Sequence, residues 1–429
     1  MFLPSPVPIS LFATKNELPS FPVSLYLAPW VVPISSPVIR DGAVAIANGR
    51  ILAVGSSSSI QAQFAGARVK NCQGVLLPGL VNAHIHLELS AYHHVPRPLP
   101  DETFCDWISS LLQLRQEGGI EPEDMARAAR NMLQQQHDAG VLLLLDIGNI
   151  LPSPPATIAP AVHLSFLLEL LGPTSKAEEQ VLARIASLSD SVAVTPHAPY
   201  STTPGIMTAL KQRADRLHHI FSLHVAESAD EIELLQSGRG CFRSFLEERG
   251  AWENIFPGPG MDGRGAVDYL ERLGLLDANL LCVHCVHVSE KEVQMLAAQG
   301  CKVCLCPGSN RFLGVGVAPL EVMLRHQLLP ALGTDSIASN EELDLWREMQ
   351  ILREDHPGVA PAAVMAMATL GGAEAMDREE EFGTLAPGRK AILLNVDSPA
   401  LQGVGNGEQL FDTLTGGGRP EKIFWIVEA

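Results

Sequence analysis

Between about residue 75 and residue 385, short apolar runs of strand length alternate with stretches of helical periodicity. This alternation constrains the fold more than any other feature, because it argues for βαβ units and a parallel sheet. Eight strand-length runs fall near 80–84, 141–146, 162–167, 192–195, 221–224, 280–284, 302–306 and 328–332. Helical patterns lie between them, for example at 123–139 and 289–299. Eight such units match the size of a (β/α)8 barrel of the TIM type, an α/β fold, with a doubly wound open sheet as the alternative. The polar residues favour the barrel. His84, His86, Asp146, His197, His224, His284, Asn310 and Asp335 stand at or just past the C-terminal ends of the runs. A barrel turns all its strand ends to one face, where active sites lie. An open sheet does not converge so many ends on one point.

The two ends of the chain read differently. Apolar runs around the dipeptides Asp41-Gly42 and Asn48-Gly49 predict hairpins. The runs 391–396 and 423–427 are strand-like as well. Residues 1–74 and 386–429 are therefore expected to pair into one small β domain beside an α/β domain spanning 75–385. The first twenty or so residues show no periodicity and read as a loose extension.

Composition limits the partners. The net charge is −18, with 46% hydrophobic and 18% charged residues. Such a chain is globular, and its acidic surface disfavours nucleic acid and anionic membranes. Several of the eight cysteines sit inside apolar runs such as 281–285, which predicts reduced, buried thiols and no disulfide framework. Cys282, Cys285, Cys301 and Cys304 formally match a C-x2-C…C-x2-C zinc pattern. Both pairs lie in strand-like runs, however, where residues three apart point to opposite faces. No Lys or Arg precedes Lys15, prolines interrupt the first apolar stretch, and no run has membrane-spanning length. A cytoplasmic protein is expected.

The chemistry gathers at the strand ends. His84 and His86 are two apart, hence on one face of a strand, and two imidazoles so placed can chelate one metal. His224 ends the fifth run and offers a third nitrogen. Asp335 follows Gly333-Thr334 at the end of the eighth run and offers an oxygen. Three His and one Asp make a catalytic-type zinc set with room for water. Glu227 lies three residues past His224, placed to enter the same pocket without binding the metal. Its competing reading is a surface carboxylate at an acidic helix start with Asp230 and Glu231.

The ordered motifs PGLVNAHIH, TPHAPYST, HVAES, HCVHV, CPGSN and LGTDSIASN resemble the amidohydrolase superfamily. More narrowly, they resemble its branch of chlorohydrolases and aminohydrolases acting on guanine, S-adenosylhomocysteine and aminofutalosine. The resemblance covers nearly the whole chain, and it implies that the two chain ends form a split β-sandwich. By position it implies metal ligation by His84, His86, His224 and Asp335. It makes His284 the partner of the attacking water or forming oxyanion, Glu227 the proton shuttle and His197 a substrate contact, with packing the competing reading for His197. His287 is expected to be structural. Binuclear members carry a bridging Lys at the end of strand four; residues 191–196 offer neither Lys nor Glu, so one Zn2+ per chain is implied, with iron the alternative metal. The implied reaction is hydrolytic loss of an amino group from a heterocycle, with ammonia released. Some relatives with this fold have lost their ligands and serve as scaffolds, whereas here the ligand set is intact.

The substrate is implied less sharply. Phe104 and Trp107 follow strand one and either stack on a flat ring or pack a helix. Asn310 and Arg311 follow strand seven and are candidate substrate contacts. Asp146 and Asn149 either line the pocket or cap strand ends. Asp106-Trp107-Ile108, the segment 252–276 (with Pro257-Gly258) and residues 306–311 most resemble aminofutalosine deaminases, although Gly308 stands where that group often has Arg. Deaminases of S-adenosylhomocysteine, methylthioadenosine or adenosine come second, then guanine deaminases and triazine-type chlorohydrolases. A small heterocyclic or nucleoside substrate is expected, with a homodimer by analogy.

Overall fold

The computed structural model describes residues 22–92, 95–99, 101–117, 119–150, 162–256, 261 and 263–428. The N-terminal extension and Pro257-Gly258 lie outside these residues. Eight strands form two four-stranded sheets in which every pairing is parallel. The first sheet contains β1 (Leu80–Ile85), β2 (Val141–Gly148), β3 (His163–Leu170) and β4 (Val194–Pro196), in that order. The second contains β5 (Phe221–Val225), β6 (Leu280–His284), β7 (Lys302–Leu305) and β8 (Ala331–Leu332). The all-apolar runs follow from burial on both faces, as parallel sheets require. Every residue of β1, β2, β5 and β6 is buried.

Backbone bonds join the outer strands of the two sheets at both seams. The His224 amide donates to the His197 carbonyl (2.9 Å), linking β5 to the end of β4. The Thr334 and Asp335 amides both donate to the His84 carbonyl (3.0 and 3.1 Å), linking β8 to β1. That approach depends on Gly333, where a Cβ would lie 2.8 Å from the His84 Cβ and 2.9 Å from the Cys304 Sγ. Helices occupy the intervals, several with the caps their sequences offer. Pro122–Asp138 and Glu290–Ala298 lie where the helical patterns predict them. The second of these starts with a capping box between Ser289 and Glu292.

Strands from the two chain ends, together with Val75–Pro78, pair in one seven-stranded mixed sheet, not in two resolved layers. Its order is Lys422–Val427, Ile392–Asp397, Val75–Pro78, Ser24–Val31, Ile39–Ala47, Arg50–Ser56, with Arg68–Asn71 also on Ser24–Val31. Asn48-Gly49 makes the predicted hairpin turn, both residues at positive φ, with Ala47 opposite Arg50. Asp41-Gly42 does not turn the chain. It lies within the Ile39–Ala47 strand, where Asp41 takes the left-handed conformation and Gly42 lets the Val31 side chain approach.

The expectation of reduced thiols throughout is corrected. Cys105 and Cys241 form a disulfide, with Cα atoms 6.0 Å apart. They lie 136 residues apart in sequence on the Phe104–Glu117 and Cys241–Glu248 helices, which only the tertiary fold brings together. The six other cysteines are free, and all but Cys72 are buried.

Candidate metal centre and substrate pocket

The ligand atoms of His84, His86, His224 and Asp335 lie within 4.8 Å of one another, and all four residues are buried. The His84 and His224 Nε2 atoms are 3.2 Å apart. Asp335 Oδ1 is 3.6 Å from His84 Nε2 and 3.5 Å from His86 Nε2. Tetrahedral ligands at zinc bond lengths stand roughly 3.3 Å from one another, so these residues fit one zinc-sized ion. Their surroundings aim them. His224 Nδ1 donates to the His197 carbonyl (2.9 Å), which leaves the Nε2 lone pair facing the cluster. Asp335 Oδ2 accepts from Ser309 Oγ (2.6 Å) and Ser339 Oγ (2.8 Å), turning Oδ1 towards the histidines. Burial opposes ionisation of Asp335, but the hydrogen bond to His84 and the imidazoles of His86 and His284 hold it well below the usual carboxylate range.

His284 and Glu227 flank this cluster, with His284 Nε2 3.5 Å from Glu227 Oε1. His284 Nδ1 is 2.9 Å from Asn310 Oδ1, an acceptor, so the proton sits on Nδ1 and Nε2 presents its lone pair. That Nε2 is buried and has no partner within the protein. Burial, reinforced by Asp335, pushes the Glu227 carboxyl up to about 8, against the opposing imidazoles of His224 and His86. Glu227 is buried, not part of the acidic surface; Glu231 accepts its backbone amide (3.0 Å). The backbone is strained here: Ala226, His284 and Asp335 all have positive φ (52°, 70° and 58°), a conformation non-glycine residues adopt where the surroundings enforce it.

A cavity of about 270 Å³ leads to the cluster and is lined by His86, His197, His224, Glu227 and Asp335 at its floor. Its mouth is largely apolar. Phe104, Trp107, Leu111 and Leu112 line it from one helix, and Phe245 and Leu246 from the other. Phe104 and Trp107 stack on each other, with ring centroids 5.8 Å apart. His197 is held by Ser201 (Nδ1 to Oγ, 2.8 Å), and burial lowers its pKa to about 4, so it stays neutral. A larger open groove of about 650 Å³ beside His287 gathers no such set of groups. His287 donates from Nε2 to the Val315 carbonyl (2.7 Å), in keeping with a structural role.

Two expected substrate contacts lie elsewhere. Asn310 is buried behind His284 as its hydrogen-bond partner. Arg311 points away and pairs with Glu354 (2.6 Å) and Asp355 (2.7 Å). Asp146 accepts the Leu87 amide (2.9 Å) and so caps the turn after His86, whereas Asn149 lines the cavity.

The structure adds residues that the sequence reading did not single out: Glu88, Arg115, Glu169, Tyr200, Arg249 and Ser339 line the same cavity. Glu169 escaped notice because β3 runs three residues past its expected end, to Leu170. The Gly172-Pro173 break was the available signal for that longer strand.

The amidohydrolase family model matches residues 75–423. A 5-methylthioadenosine/S-adenosylhomocysteine deaminase of Moorella thermoacetica is 30% identical over 385 residues, covering 86% of this chain and 84% of its own. The crystal structure of an adenosine deaminase from Xanthomonas campestris with bound zinc superposes with a TM-score of 0.73 at 25% identity, covering 94% and 91% of the two chains. Helicobacter pylori aminofutalosine deaminase shares the fold, with a TM-score of 0.76 at 22% identity over 94% and 98% of the chains.

Proposed function

We propose that this chain, which belongs to the amidohydrolase family and hydrolyses a carbon–nitrogen bond other than a peptide bond, removes the amino group of an adenine-type nucleoside. The observation that carries the reading is the Glu227–His284 pair, buried beside four convergent ligands at the floor of an apolar-mouthed cavity. The relatives act on such nucleosides by name. We read the two parallel sheets as halves of one closed (β/α)8 barrel, supported by the backbone bonds at both seams. Within residues 75–385, the part after Val75–Pro78 would carry the chemistry, with the chain-end sheet, which takes in Val75–Pro78, as a separate β domain.

His84, His86, His224 and Asp335 would hold one zinc ion, which when bound acts as a Lewis acid and brings the pKa of water to about 7. Asp335 Oδ1 accepts one proton of the attacking water, and the His284 Nε2 lone pair orients the other. Glu227, protonated near neutrality, donates to the ring nitrogen beside the carbon under attack. The proton that Asp335 received passes to the departing amine, and the hydroxyl proton left on the new C–O group returns to Glu227 as the carbonyl forms. Nucleoside and water thus give a keto nucleoside and ammonia. The ring stacks between His197 and the Phe104–Trp107 wall.

Within this class we favour aminodeoxyfutalosine, on the resemblance in residues 106–108 and 306–311. The thioether nucleosides methylthioadenosine and S-adenosylhomocysteine form the second reading, favoured by the 30% identical relative. The test is ammonia release by the zinc-loaded protein from aminodeoxyfutalosine, S-adenosylhomocysteine, methylthioadenosine, adenosine, guanine and cytosine. Turnover of one adenine nucleoside is the expected result. Release from guanine or cytosine alone would overturn the nucleoside reading.

A further inference from the structure

Glu169 has no part in the chemistry just described, yet it is one of the most deeply buried carboxylates at the cavity, with 5% of its surface exposed. One of its oxygens is occupied: Oε2 accepts from Asn149 Nδ2 at 3.0 Å. The Asn149 backbone N–H in turn donates to Glu88 Oε2 at 2.8 Å. The other oxygen, Oε1, is buried without a hydrogen-bond partner. It stands 3.9 Å from His224 Nδ1, but that nitrogen's proton already goes to the His197 carbonyl. A buried acceptor left unpaired is unfavourable, and the residue that carries it lines the cavity together with His197.

Glu169, His197 and His224 also offer atoms close enough to hold an ion. A metal there would need His224 Nδ1, which is committed to the His197 carbonyl. A substrate donor is the better occupant. Adenine narrows which donor it is. Within a nucleoside its free ring nitrogens are acceptors and its amine is the base's only N–H donor. The amine must face Glu227 and the ligand cluster to react. The donors left on the adenine riboside part that these candidate substrates share are the hydroxyls of its sugar, a group that carboxylates also accept from in dinucleotide-binding folds.

We propose that Glu169, positioned by Asn149, is a specificity-determining residue that accepts a hydrogen bond from a sugar hydroxyl, so that the enzyme takes nucleosides and rejects free adenine. The assignment rests on the deaminase reading above and adds to it the group that distinguishes nucleoside from base.

The experiment compares wild type and Glu169→Gln, both zinc-loaded, on the best adenine nucleoside, its 2′-deoxy and 3′-deoxy analogues, and adenine. Calorimetric binding of the corresponding keto nucleosides and zinc content are measured in parallel. Glu169→Gln should lose about 10- to 100-fold in kcat/KM and in product affinity on the full nucleoside. It should lose less than about 3-fold on the one analogue that lacks the recognised hydroxyl. Wild type alone should disfavour that analogue and adenine, a result independent of how the variant folds. An equal loss on every substrate, wild-type turnover of adenine matching that of the nucleoside, or a second zinc that disappears in Glu169→Gln would each overturn the proposal. Absence of ammonia from every adenine compound would instead remove the deaminase reading itself.

Discussion

At the floor of the pocket, His84, His86, His224, His284 and Asp335 stand at the ends of strands, and the backbone of three of them also forms the seams between the two sheets. At the mouth, Phe104, Trp107, Leu111, Phe245 and Leu246 stand on two helices, with Arg249 exposed at the rim. Three floor residues have their orientation set by a named partner: the His197 carbonyl sets His224, Asn310 sets His284, and Ser309 and Ser339 set Asp335. The mouth residues meet by apolar contact, which tolerates changes of shape better than a hydrogen-bond array does. The contrast teaches that reaction and selectivity are carried by different parts of the fold, so damage to each should leave a different kinetic signature.

The largest effect should come from breaking the floor. Replacing His224 with Ala should bring ammonia release to background and lower bound zinc well below one per chain, measured by atomic emission. Next, Glu227→Gln should keep zinc but lower kcat by about 10²–10⁴-fold; full activity with zinc retained would sink its assignment as the acid. At the mouth, Trp107→Ala should raise KM by about 10-fold through lost apolar contact, with kcat changed less. A Trp107 variant that lost kcat as a floor variant does would erase the distinction between the two regions.

The remaining effect is on stability and leaves the chemistry of the pocket aside. Glu348 is buried behind the floor and accepts the Gly308 amide (2.7 Å) and Asn340 Nδ2 (2.8 Å). Burial pushes its carboxyl up to about 8. In the unfolded chain an ordinary glutamate releases its proton near pH 4.3. Its contribution to stability is therefore full below about pH 4.3 and is lost as pH rises through 8, at up to about 1.4 kcal/mol per pH unit. Urea unfolding at pH 6 and pH 8 should show this decline in wild type and a flatter one in Glu348→Gln.

The floor was legible in the sequence because its signal is local. A two-residue histidine spacing, a histidine ending an apolar run and an Asp after Gly-Thr each fix a side chain to a strand end. Gly308 also makes sense only in three dimensions: a Cβ there would lie 2.5 Å from the Glu348 Oε1. Glu169 was illegible because three residues of strand length decided whether it entered the pocket. Arg311 had the right place in the chain, but two nearby acids on the Leu345–Asp355 helix capture it. The Cys105–Cys241 bond had no local signature at all, since its partners lie 136 residues apart on two helices that meet only in the tertiary fold.

That bond has a topological consequence. The stretch it closes contains β2, β3, β4 and β5, so those strands belong to a covalent ring. A protease that nicks the backbone anywhere between Cys105 and Cys241 therefore leaves a molecule of unchanged mass apart from the added water. The two pieces part on a denaturing gel only after a reductant is supplied.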